Sequence, residues 1–197
     1  MITRIQQRSI RAFTTLPKQR DWLELAFAGI LFTAVTVPFG LATGLLEFTD
    51  PKDSLFTILA YVIVALVLPS SAEEWIFRGL LLPHKEEHVT TRQRLAWCAM
   101  ALVLFVLWHP FNAWLFVPWA RVLFYRLDFL LVAGLLGLVA TALYQRSGSI
   151  WPGVIFHWTA VVGWKLFCGG KVITPGLHNA QVSVELFVNF LIGKIVQ

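Results

Sequence analysis

Apolar runs long enough to cross a bilayer recur along this 197-residue chain, and they leave little choice of fold. In hydrocarbon no water satisfies backbone N–H and C=O groups, so a crossing segment closes its own hydrogen bonds as a helix or joins a closed barrel. About 20 apolar residues make a spanning helix. The candidates are 22–46, 55–82, 95–108, 113–126, 129–144 and 150–167, with the fourth short and interrupted by Pro118. Residues 169–179 read as loop, and 182–196 as an interfacial helix or a short seventh span. The expected fold is all-α, a polytopic transmembrane bundle of about six spans. Composition agrees: 57% of residues are hydrophobic and 14% charged, where a soluble domain is nearer half and a quarter. We read one membrane-embedded bundle, 21–197, preceded by a basic segment, 1–20.

The net charge is +5, and Arg4, Arg8, Arg11, Lys18 and Arg20 all precede the first acidic residue, Asp21. A basic flank before an apolar run signals a cytoplasmic end. The same stretch, rich in Arg, Ser and Thr and free of acid, also has the composition of an organellar transit peptide. Counting Lys and Arg places the N-terminal segment, the Lys85/Arg92/Arg94 loop, Arg121/Arg126 and Lys165/Lys171 on the cytoplasmic side. The acidic 47–53 loop falls on the other. No basic surface interleaved with aromatics follows, so nucleic acid is not an expected partner. The expected setting is a bacterial plasma membrane, with an organellar membrane as the alternative. Cys98 and Cys168 form no CxxC pair and read as small buried hydrophobes.

Ionisable groups inside apolar spans are costly, and by default they mark function. Glu73, Glu74 and Arg78 lie within six residues of one another in the second run. On a helix, Glu74 and Arg78 are one turn apart and pair. Glu73 points about 100° away, which leaves it freer to act. A structural alternative exists. Ser71-Ala72-Glu73-Glu74 fits a capping box after Pro69, with Ser71 as N-cap and Glu74 as its N3 partner. His109 ends the third run, one turn beyond Phe105, and His157 lies in the sixth. His84, His88 and His178 sit in or beside polar loops and receive no role. Polar groups in hydrocarbon face the bundle interior and seek one another. A carboxylate with two imidazoles in a closed cavity can activate a water molecule. Glu73, His109 and His157 could equally form a two-histidine, one-carboxylate zinc set. Ser70 and Ser71 are the nearby serines, and no Gly-x-Ser-x-Gly frames them.

The stretch Glu73-Glu74-Trp75-Ile76-Phe77-Arg78-Gly79-Leu80-Leu81 resembles the first motif of the CAAX prenyl endopeptidase and bacteriocin-processing family (CPBP, also called Abi). Phe105-x-x-x-His109 is similar to its second motif, and His157 to the histidine of its third, over roughly residues 55–167. The resemblance implies a helical bundle with its site inside the bilayer, open to the cytosol, and proteolysis by an activated water. Glu73 and His109 would polarise the water, Glu74 with Arg78 would orient the site, and His157 would support the oxyanion. No cofactor is implied. The substrate would be a peptide or the C-terminus of a prenylated protein. Many members carry Asn four residues after the late histidine, where this chain has Val161. A valine side chain cannot donate to an oxyanion, and losing one such donor costs about a hundredfold or more in rate. Asn112 and Thr159 are the candidate substitutes.

Two alternatives stand beside the protease. One is a non-catalytic immunity or partner-binding membrane protein that keeps the ion pair for packing. The other is a transporter relaying protons through the carboxylates, although no symmetric pair of broken helices points that way. There is also a geometric tension. The glutamates lie toward the cytoplasmic half of their span, while His109 lies near the outer end of its own. They meet if the third helix starts deeper or continues past Pro110, or if the second bends at Pro69.

Overall fold

The computed structural model describes residues 2–51 and 53–169, so the readings of 170–197, including Lys171, His178 and the 182–196 helix, fall outside the described residues. Seven helices make up the chain in this range. They are α1 (Ile2–Thr14), α2 (Gln19–Thr43), α3 (Leu55–Leu80), α4 (Thr91–Leu115), the single turn α5 (Arg121–Phe124), α6 (Leu127–Ser147) and α7 (Trp151–Gly163). No named strand occurs among the described residues. Four of the helices, α2, α3, α4 and α6, are long and apolar enough to cross a membrane. This is an all-α membrane bundle. Its outer faces carry exposed Phe27, Ile30, Phe56, Ile63 and Val103, as expected where lipid is the solvent. In α6, 39% of the apolar window is buried, against 11% in α2 and α3, so α6 is the central helix.

Local sequence accounts for the helix ends. Thr90 Oγ1 accepts from Gln93 N at 3.2 Å while Gln93 Oε1 accepts from Thr90 N at 2.9 Å, a capping box that starts α4. Ser54 Oγ accepts from Thr57 N at the start of α3. Gly148, at φ +74°, stops α6 in the left-handed region that suits glycine.

α3 is not a regular helix. Its α-helical part ends at Ala65, Leu68 is extended (φ −131°, ψ 120°), and π-helical turns at Leu66–Ser71 and Trp75–Leu80 flank a short α turn, Ala72–Glu74. Pro69 causes the break: it has no N–H to give and its ring excludes a straight helix. Insertions of the π type gather at functional sites. α4, by contrast, runs through Pro110 to Leu115. The break in α3 and the length of α4 together resolve the tension noted above.

The two ends of the bundle differ in charge. At one end Arg8 meets Glu87, the His84 ring meets Gly148 O, and Ile150 N donates to Ala12 O. At the other, Glu47 N and Thr49 N donate to Cys168 O and Phe167 O, and Arg126 Nη2 donates to Thr43 O. Residues 113–126, expected to span, do not. They finish α4 and form a 3₁₀ turn, Pro118–Ala120, and α5. With that span lost, Arg121, Arg126 and Lys165 move to the end that carries the 47–53 loop, opposite to the side that charge counting gave them. Their surroundings suit the move. Arg126 pairs with Asp128 at 2.6 Å, Arg121 donates to the last carbonyls of α4, and the Lys165 ammonium lies over the Tyr61 ring.

Candidate active site

Glu73 and Glu74 occupy the α turn between the two π insertions, with Arg78 one turn on. The capping-box reading of Ser71 and Glu74 fails. Ser71 is helical at φ −70°, ψ −41°, and its side chain caps nothing. Glu74 is buried and pairs with Arg78 instead.

Glu74 is fully buried and Arg78 nearly so, at 0% and 1% exposure. Arg78 Nη1 donates to Glu74 Oε1 at 2.9 Å, Nη2 donates to Gly137 O at 2.7 Å, and the guanidinium lies 4.5 Å above the Phe105 ring. Arginine suits this place because its planar fork pairs, donates and stacks at once. Gly137 permits the approach: a Cβ there would sit 2.8 Å from Phe105 Cδ1.

The imidazole of His157, on α7, lies 3.0 Å through Nδ1 from Glu74 Oε1. The carboxylate can only accept, so Nδ1 carries the proton. Nε2 of the same ring is 4.0 Å from Glu73 Oε2, too far for a hydrogen bond. Gly153, one turn before His157, brings α7 close: its Cβ would lie 3.0 Å from Glu74 Oε2. His109 Nδ1 lies 3.0 Å from Phe105 O, which by the same logic leaves Nε2 as an acceptor. The Phe105 ring sits between the two imidazoles, with centroids 5.1 Å from His109 and 5.9 Å from His157.

Glu73 is held differently from its neighbour. Its Oε1 accepts from Trp108 Nε1 at 3.0 Å, and its Oε2 is buried without a hydrogen-bond partner. Sequence reasoning missed Trp108. The available signal was a tryptophan beside His109 at the end of an apolar run, since a buried indole N–H needs an acceptor. It also missed Phe105 as the platform for Arg78. All five expected residues, Glu73, Glu74, Arg78, His109 and His157, lie in one buried cluster. The candidate substitutes for the missing Asn do less well. Thr159 Oγ1 donates to Ile155 O at 2.7 Å within its own helix, and Asn112 is half-buried and does not line the adjacent cavity. Ser70 Oγ is fully buried without a partner, one turn before the glutamates.

A cavity of about 410 Å³ adjoins the imidazoles. His109 and His157 line it with Phe105, Phe129, Phe156 and Val161, and it extends to Leu45, Phe167 and Cys168 at the acidic-loop end. Glu73 is not on its wall; the histidines stand between carboxylate and cavity. Zinc ligation would need Glu73, His109 and His157 to converge on one ion. Among the described residues no group of three His, Cys, Asp or Glu side chains is disposed to hold one.

The pattern of the type II CAAX prenyl endopeptidase Rce1-like family matches residues 52–162. The chain belongs to that family. The matched range contains the whole of this cluster, and it leaves α1 and α2 outside. No curated protein and no solved structure matches the chain. The family is in general one of proteases, and the four helices long and apolar enough to cross a bilayer agree with a membrane protein.

Proposed function

We propose that this Rce1-like protein is an intramembrane endopeptidase that hydrolyses a peptide bond with water activated by Glu73. The observation that carries the reading is the asymmetry of the two glutamates. Glu74 Oε1 is shared by the Arg78 guanidinium and His157 Nδ1, and its unpartnered Oε2 lies against Gly153, while Glu73 has no arginine partner and its unpartnered Oε2 lies 4.0 Å from His157 Nε2. In the reaction Glu73 Oε2 takes one proton from the water, and His109 Nε2 accepts a hydrogen bond from the O–H that remains. The resulting hydroxide attacks the scissile carbonyl carbon. His157, with Nδ1–H fixed on Glu74, donates from Nε2 in its charged form to the oxyanion. Collapse breaks the C–N bond, and the proton on Glu73 passes to the leaving nitrogen.

The substrate is a lipidated C-terminal peptide. The apolar cavity beside the imidazoles suits a prenyl chain, which stays out of water while the peptide reaches the histidines. Processing of bacteriocin-like or other small peptides uses the same chemistry. The basic end, with α1, faces the cytosol.

Val161 favours a second reading, a non-catalytic immunity or partner-binding protein that keeps the ion pair for packing. The test is cleavage of a prenylated peptide library by the parent and by Glu73→Gln, both reconstituted in lipid. Cleavage by the parent and its loss in the variant is expected. Equal cleavage by both removes Glu73 as the base, and no cleavage by a folded parent supports the second reading.

A further inference from the structure

The site described above leaves one cluster of charge unused, at the opposite end from the 47–53 loop. Arg4, Arg8 and Arg11 recur at spacings of four and three along α1 and so share one face of that helix. With Gln7, His84, Glu86, Glu87 and His88 they line a pocket of about 390 Å³. Arg8 is occupied. It forms a bidentate pair with Glu87, at 2.8 Å for each contact, and donates to Leu81 O at 3.1 Å. Arg4 and Arg11 are exposed, and neither guanidinium forms a hydrogen bond or ion pair with the described residues. Like charges one or two turns apart on a helix repel, so two unpaired guanidiniums beside a third invite an anion.

The location says which anion. α1 lies across the basic end of the bundle: Ala12 is buried beneath Gly79, Ser9 Oγ accepts from Trp75 Nε1 at 2.8 Å, and Trp151 Nε1 donates to Phe13 O. Ile10 on its far side and Leu16 just beyond are 61% and 77% exposed. The first membrane-crossing helix begins three residues after Leu16, at Gln19. Exposed apolar side chains here belong in the acyl boundary, which sets the arginine face at the level of the lipid headgroups.

We infer that Arg4 and Arg11 hold the phosphate of an anionic phospholipid headgroup in this pocket. Guanidinium and phosphate match in geometry and charge. A headgroup seated there braces α1 against the π-helical turn Trp75–Leu80, which carries Arg78. The inference does not depend on the protein being a protease.

Native mass spectrometry of the full chain in a neutral detergent tests it, with phosphatidylglycerol, phosphatidylcholine and inorganic phosphate as separate probes. Phosphatidylglycerol is expected to be retained at least tenfold better than phosphatidylcholine. Arg4→Gln combined with Arg11→Gln should lower retention to the phosphatidylcholine level, and Arg4→Lys with Arg11→Lys should restore most of it. Equal retention of the two lipids, or undiminished phosphatidylglycerol binding in the Gln variant, overturns the inference. Inorganic phosphate binding as well as phosphatidylglycerol overturns the lipid source. If the Gln variant fails to fold, the lipid preference of the parent and the Lys variant decides.

Discussion

The indole N–H of Trp108 donates to Glu73 Oε1 at 3.0 Å, which fixes one oxygen of that carboxylate and leaves the other buried and free. The glutamate proposed as the base is thus aimed by a side chain on another helix. Trp108→Phe keeps an aromatic ring, smaller than the indole, and deletes the hydrogen bond. A hydrogen bond to a charged group contributes about 1.5 kcal/mol or more. Cleavage kinetics of the variant should show kcat lower by about tenfold with KM little changed. A rise in KM alone would mean that Trp108 binds substrate and does not orient Glu73.

The two glutamates should separate in stability as well as in activity. Glu74→Gln leaves the buried Arg78 charge without its counter-charge, at a cost of about 3–5 kcal/mol. Its thermal unfolding midpoint in detergent should fall well below that of the parent. Glu73→Gln leaves the buried Glu74–Arg78 pair intact and should unfold close to the parent while losing cleavage. Similar unfolding of the two variants would contradict the division of labour between them.

Helix approach at Gly137 is tight enough to test directly. A Cβ there would come within 2.8 Å of Phe105 Cδ1 and 2.9 Å of Leu102 Cδ1, while one at Gly29 meets nothing within 4 Å. Overpacking costs about 1–3 kcal/mol. Gly137→Ala should lower the unfolding midpoint and weaken activity, since the same contact seats Arg78. Gly29→Ala should leave the unfolding midpoint unchanged.

The docking of α1 should be sensitive to acid. Burial pushes the His84 imidazole below its ordinary value of 6.5, so neutral His84 stabilises the folded end above about pH 6.5, and that contribution is lost as pH falls below it. Arg8 beside Glu87 holds its carboxyl below the ordinary value of 4.5. That contribution is present above 4.5 and is lost as pH falls further. Both act in the same direction. The protection of α1 amides from hydrogen exchange, corrected for the intrinsic slowing of exchange in acid, should fall from pH 7.5 to pH 5.5 and again below 4.5. Protection that stays constant over this range would show that neither group holds α1.

Chelators should leave cleavage intact, because the proposed water is held by carboxylate and imidazole. Loss of activity with a zinc-selective chelator, restored by added zinc, would reverse that assignment.

Much of the site could be read from residues alone because charge in hydrocarbon is scarce. Glu73, Glu74, Arg78, His109 and His157 stand out against their apolar neighbours, and the one-turn spacing of Glu74 and Arg78 forces their pairing on any helical path. Trp108, Phe105 and the Gly137 carbonyl could not be read so easily. Aromatic and glycine residues are common in such spans, and only packing shows which indole or carbonyl meets a charge. The reading of 113–126 as a span failed because hydropathy records composition and not path. Pro118 and Arg121, which donates to the last carbonyls of α4, turn that stretch into a corner, and the side assigned to Arg121, Arg126 and Lys165 changed with it.

The sequence by itself determined that the chain is an all-helical membrane bundle and which ionisable side chains must meet inside it. Both follow from local rules: backbone groups need partners in lipid, and buried charges need counter-charges. The tertiary structure decided how they meet. The break at Leu68–Pro69 and the continuation of α4 through Pro110 place Trp108 on Glu73 and His157 on Glu74. Two carboxylates adjacent in sequence thereby acquire different partners. That difference depends on the angle and depth of three separate helices, which no local pattern encodes.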